Sequence, residues 1–314
     1  MNASTDHAAA STLMSLRQIG ELTLLGAIWG ASFLFMRVAA PEFGALPTSF
    51  IRLATGAAVL WPLARNPLRT LGGAQALRGH LGALLMVGTL NSALPFTLFA
   101  YATQVLPASY TSILNASAPL WGAVIGWLAF AERLDAMRWA GLGIGFTGIV
   151  LLTGSNFSAA TLTSLTTGTV AGIAAGASYG LAAHLAKRWL AALPPQLVAA
   201  GTQIAAACVL APLAAWRWPH ATPGTTAWLS VMCLGLLCTG IAYLVYFRLI
   251  LAVGALRATS VAYLIPVFGV LWGSVVLGET VTESMLLGGL VVLVGTALTT
   301  GTLDRKEPRR GAKR

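Results

Sequence analysis

The chain has 314 residues, of which 57% are hydrophobic and 9% charged, where ordinary soluble proteins carry about 25% charged residues. So few charges cannot cover a water-soluble surface, and the composition points to a polytopic membrane protein. The formal charge of +10 is not a nucleic-acid footprint, because six of the 19 Lys and Arg lie in the last ten residues. A basic tail beside an apolar helix is a cytoplasmic anchor, with lipid headgroups as its second use.

In chain order, residues 1–19 read as a cytoplasmic segment. They lack the basic n-region of a cleaved signal, and Asp6 argues further against one. Ten apolar stretches of spanning length follow, at about 20–39, 45–64, 79–99, 107–130, 137–154, 167–187, 196–215, 226–248, 256–278 and 284–302. Residues 303–314 form the basic tail. With the N-terminus inside, sixteen Lys and Arg face in: Arg17, Arg65, Arg69, Arg78, Arg133, Arg138, Lys187, Arg188, Arg248, Arg257 and the six of the tail. Arg37 and Arg217 face out, and Arg52 lies within the second stretch. This asymmetry predicts that both termini are cytoplasmic.

The chain repeats itself. A shift of 147 residues superposes Pro119 on Pro266, Gly126 on Gly273, Glu132 on Glu279, Gly141 on Gly288 and Gly148 on Gly295 without a gap. Gly30-Ala31-Ser32-Phe33 echoes Gly176-Ala177-Ser178-Tyr179 at a shift of 146. The repeats are 20–154 and 167–302, with five stretches each. Because five is odd, the second copy enters the membrane inverted. The expected fold is therefore an all-α membrane protein, ten transmembrane helices as two inverted five-helix repeats around a central cavity.

These residues resemble the EamA family of the drug/metabolite transporter superfamily. The resemblance rests on Ile28-Trp29-Gly30-Ala31-Ser32-Phe33, on Arg52, on the proline of the fourth helix followed by Ala131-Glu132-Arg133-Leu134, and on the echo from Pro266 to Gly278-Glu279. It covers about residues 20–302. One departure is Arg37, where many relatives have Lys. The resemblance implies a ten-helix bundle with a central cavity, and often export of metabolites or drugs.

Several residues fit a solute cavity. Trp29 and Phe33 share one face of the first helix, with Ser32 beside them. Tyr179 is the echo of Phe33 and Ser178 that of Ser32. Tyr243 is the shifted partner of Phe96. Asn91, Asn115 and Tyr263 add polarity. Rings with a few polar groups suit an amphipathic organic solute; packing or interface anchoring are the bland roles. Arg52 fits a carboxylate site, a tie to a carbonyl, or snorkelling. Pro95, Pro119 and Pro266 are candidate kinks or gates, since each frees a carbonyl four residues earlier. The glycine stripes of the fifth and tenth helices permit close contact, within the monomer or in a homodimer.

The sequence gives no cofactor or metal motif, and Cys208, Cys233 and Cys238 form no cluster. Apart from Glu21 and His80 at the ends of theirs, the stretches contain no Asp or Glu and one histidine, His184. That favours facilitated diffusion or exchange over proton coupling. The expected function is secondary transport of a small organic metabolite, an amino acid or similar solute, by alternating access across the inner or plasma membrane, with efflux the expected direction. The partners are the solute and the lipid bilayer. A membrane-bound sensor or scaffold is the alternative. Gly176-Ala177-Ser178-Tyr179-Gly180 matches a serine-hydrolase pattern, but on a helix His184 falls nearly opposite Ser178.

Overall fold

The computed structural model describes residues 14–153 and 159–301. Among them the regular structure is helical, with no strand. The helices are α1 (Leu16–Phe43), α2 (Ala45–Thr70), α3 (Arg78–Val105), α4 (Ala108–Phe130), α5 (Ala136–Thr153), α6 (Ala159–Trp189), α7 (Pro195–Trp216), α8 (Thr225–Val253), α9 (Val261–Leu277) and α10 (Glu283–Thr299). Most of α1, α3, α4, α6, α7 and α8 is apolar and long enough to cross a bilayer; α5, α9 and α10 are shorter apolar helices. In α2, Arg52, Arg65 and Arg69 interrupt the apolar run. Large apolar side chains point outward, among them Leu229, Leu251 and Val275, as lipid-facing surfaces require. The basic tail and most of residues 1–19 lie outside the described residues.

Local chemistry sets the helix ends. Ser15 caps α1 in a capping box with Gln18, accepting from the Gln18 amide at 3.3 Å. Gly44, at φ +81°, separates α1 from α2 in a conformation that L side chains rarely adopt. α4 and α9 both end on a left-handed residue, Ala131 (φ +54°) and Gly278 (φ +65°), exactly one repeat apart. Several boundaries differ from expectation, α2 continuing to Thr70 and α9 starting at Val261 among them. α3 and α8 continue to Val105 and Val253, and α6 starts at Ala159, inside the expected loop.

The packing follows the repeat. α1 lies on α9, and α6 on α4; α3 contacts α6, and α8 contacts α1. α2 packs on α7 and α5 on α10. Glycines let the last pair approach closely: a Cβ on Gly148 would sit 2.6 Å from the Val292 amide nitrogen. The stripes thus face each other inside one chain. Leu106, Leu114, Leu152 and Val292 are fully buried beside this pair.

The two repeat-equivalent prolines sit differently against the helix breaks. α4 breaks into turn at residues 116–117, and Pro119 opens the helix that follows. Pro266 lies inside uninterrupted α9, whose break comes earlier, at 259–260. Equivalence in sequence at these prolines is thus not matched by an equivalent break.

Candidate functional site

Two π-helical turns frame the centre of the molecule. One, Thr89–Ala93, interrupts α3; the other, Leu236–Ile241, interrupts α8. Their starts are 147 residues apart. A π turn alters the i→i−4 bonding and often marks a functional site. Pro95 just follows the first, but no proline follows the second, so proline alone does not explain them. Each turn is tied to neighbouring helices. The Ser178 hydroxyl donates to the Leu90 carbonyl at 2.6 Å, and the Gln203 amide donates to the Ser92 hydroxyl at 3.0 Å. Opposite, the Trp29 indole donates to the Cys238 carbonyl at 3.1 Å, and the Cys238 thiol donates to the Ile28 carbonyl.

Between the two turns lies a cavity of about 240 Å³, smaller than the roughly 300–1,000 Å³ of drug-sized sites. Trp29, Phe33, Phe96, Tyr179 and Tyr243 supply its aromatic walls, and Ser32, Arg52, Asn91 and Asn115 its polar groups. These nine come from the expected set. The rings pack edge to face: Trp29 with Tyr243 at 6.3 Å between centroids, and Phe33 with Phe99 at 5.6 Å. Met36, Phe99, Cys238 and Ile265 also line the cavity, and the sequence reading missed them. Ser178 is spent on Leu90, and Tyr263 pairs with Thr300 at 2.8 Å; neither is in the lining, nor are the three candidate prolines.

Arg52 is the charged member of the lining. It is 6% exposed. Its Nε donates to the Thr239 hydroxyl at 3.1 Å, in the second π turn. Its guanidinium lies 3.6 Å from the centroid of Phe96, a cation–π contact. Among the described residues no ion pair includes it. It therefore does not snorkel to the surface. The guanidinium also reaches the Met36 sulfur at 3.9 Å; a hydroxyl, a thioether and a ring are thus its partners, and none of them carries a counter-charge.

The carboxylates lie far from this cation, at helix ends. Glu21 pairs with Arg17 and with Arg248 at 3.1 Å. Glu42 accepts from the Gly224 amide at 2.6 Å. Glu279, after α9, accepts from the amides of Ala108 at 2.7 Å and Ser109 at 3.0 Å and from the Ser109 hydroxyl at 2.6 Å, at the start of α4. At the same end, Arg37 of α1 donates to the carbonyls of Thr103 at 2.6 Å and Gln104 at 3.1 Å in α3. At the opposite end Glu132 lies 3.5 Å from His184, whose other ring nitrogen bonds the Gly180 carbonyl at 2.8 Å. His184 and Ser178 are thus engaged separately, and no nucleophile–base pair forms.

The EamA-like transporter family model matches residues 19–154 and again 166–301. The chain belongs to the EamA family. It is a membrane transporter of that family, and several curated relatives match it over nearly their whole length. It is 28% identical to YedA, an uncharacterised inner membrane transporter of Escherichia coli, over 92% of this chain and 94% of that one. It is 23% identical to YoaV, an uncharacterised transporter of Bacillus subtilis, over 89% and 95%. It is 25% identical to a probable terminal-alkyne amino-acid exporter of Streptantibioticus cattleyicolor, over 90% and 93%. A protein of known crystal structure superposes with a TM-score of 0.59 at 24% identity, over 91% of this chain and 98% of that one, a likeness of fold alone.

Proposed function

We propose that this EamA chain is a secondary transporter for a small amphipathic carboxylate, an amino acid or close analogue, moved by alternating access and mainly outward. The observation that carries this reading is Arg52, a buried cation without an acidic partner among the described residues, set in an aromatic cavity. A solute carboxylate is the counter-charge the site lacks, and it can take two parallel hydrogen bonds from a guanidinium. The rings hold the solute's apolar part, and the amides of Asn91 and Asn115 take a further polar group. The small volume limits the solute's size. The S. cattleyicolor relative, named as a probable amino-acid exporter, supports the same class and direction.

In this reading the helices make ten crossings as two inverted halves, 20–154 and 167–302, and rocking of the halves exposes the cavity alternately. The exchange-related packing, the two π turns and the two left-handed helix ends support it. The Lys and Arg distribution supports cytoplasmic termini in the inner or plasma membrane. The test is flux in proteoliposomes across a panel of amino acids, their methyl esters and their decarboxylated amines. Flux of the acids, with weak flux of esters and amines, is the expected result. Equal flux of all three classes overturns the carboxylate site.

A further inference from the structure

The two ends of the molecule are equivalent in sequence but not in contacts. Under the 147-residue shift, Thr103 and Gln104 correspond to Ile250 and Leu251, Ala108 and Ser109 to Ala255 and Leu256, and Glu279 to Glu132; in the 146-residue register of α1 and α6, Arg37 falls on Ala183, one residue before His184. At one end Arg37 and Glu279 each reach across to a different helix, Arg37 to carbonyls of α3 and Glu279 to amides of α4. There α1, α3, α4 and α9 pack together. At the other end His184 and Glu132 face each other instead. The equivalent packings, α6 with α8 and α4 with the turn before α9, have no comparable extent. Residues Ala255–Ala258 form a single helical turn between α8 and α9, and the amides of residues 255 and 256 at its start have no intrahelical acceptor, as those of Ala108 and Ser109 have none until Glu279 supplies one.

The carboxylate is built the same way at both ends. The backbone amide of each glutamate bonds a carbonyl six residues earlier at 3.0 Å, Glu132 to Gly126 and Glu279 to Gly273. A Cβ on either glycine would meet the glutamate's own carboxylate, so each glycine leaves room for the side chain to fold back over its helix end. The unequal contacts are therefore two settings of one device.

We propose that the ends exchange these settings during transport. In the opposite state Glu132 leaves His184 and takes the amides of Ala255 and Leu256, His184 turns to the carbonyls of Ile250 and Leu251, and Glu279 and Arg37 release their helices and pair with each other. Glu132 and Glu279 are gate residues, one latched when the other is paired with its basic neighbour. Each carboxylate keeps hydrogen-bond donors in both settings. The proposal rests on the alternating-access reading of the function.

The test introduces cysteines at Arg133 and Ala255, exposed positions beside the unlatched end, and oxidises them in membranes, with the crosslinked peptides identified by mass spectrometry against the three native cysteines. In the Glu279→Gln background the crosslinked fraction should rise at least twofold, because the latched end is weakened. In the Glu132→Gln background it should fall at least twofold. Ser109→Ala, which removes one of three bonds to the Glu279 carboxylate, should act as a milder Glu279→Gln and serves where that variant does not accumulate. An equal fraction in all backgrounds, or a shift of the same sign in both glutamate variants, overturns the exchange. The crosslink needs no substrate, so opposite shifts in a protein that carries no solute in the flux panel would uphold the latch while sinking the transport reading. Flux with an indifferent crosslink would do the reverse.

Discussion

Arg52 concentrates the chemistry of the cavity. Replacing it with Gln keeps much of the volume and removes the charge. A hydrogen bond to a charged group is worth about 1.5–3 kcal/mol, so the KM for a carboxylate solute should rise roughly ten- to hundredfold, with little change for its methyl ester. Arg52→Lys should fall between, since lysine keeps the charge but lacks the planar fork. Initial-rate flux against concentration checks all three. Arg52 was legible in the sequence because a charge inside an apolar run is costly and stands out. The polar and aromatic lining was legible too, from Trp29, Phe33, Asn91 and Tyr243 on expected helix faces. Met36, Phe99 and Ile265 were not, because an apolar side chain facing a cavity and one facing a core have the same sequence signal. Cys238 reaches the lining through a π turn, and no periodicity announces that turn.

At the scale of elements, the close approach of α5 and α10 depends on glycine. A Cβ on Gly148 would press on the backbone of residues 288 and 292, and one on Gly295 on the backbone of residues 141 and 145. Backbone cannot rotate away as a side chain can, so Gly148→Ala and Gly295→Ala should each cost about 1–3 kcal/mol. Gly143→Ala is the control: nothing lies within 4 Å of a Cβ there, and its effect should stay within about 0.5 kcal/mol. Thermal unfolding in detergent, read as loss of the monodisperse peak, separates them. Stability of Gly295→Ala equal to that of Gly143→Ala would show that the pair can part without cost. The glycine stripes were legible in the sequence; that they meet within one chain follows only from the packing. The different placing of Pro119 and Pro266 against the breaks was not legible, because a proline marks where a bond is missing and not where the helix is interrupted.

At the scale of the whole molecule, the repeat was the most legible feature, since it rests on identities such as Pro119 with Pro266 rather than on periodicity. The orientation follows from charge and is tested by labelling. A cysteine at Thr222, between α7 and α8, should react with an impermeant maleimide in intact cells, and one at Ala192, between α6 and α7, should not; both positions are exposed. The reverse pattern overturns cytoplasmic termini. Energetics follow from where the titratable groups sit. No carboxylate or histidine lines the cavity. Glu21, Glu42 and Glu279 hold amides or arginines at helix ends, and Glu132 faces His184 at another; none of the four lines the cavity. A zwitterionic solute carries no net charge through the membrane potential, which acts at about 2.3 kcal/mol per charge per 100 mV. Transport of such a solute should therefore run down its own gradient or by exchange. In proteoliposomes with an imposed pH gradient, internal and external concentrations should become equal at equilibrium. Accumulation driven by the pH gradient and abolished by a protonophore would show that a proton travels with the solute. Glu132 and His184, the pair whose partners differ most from their repeat equivalents, would then be the first place to find its carrier.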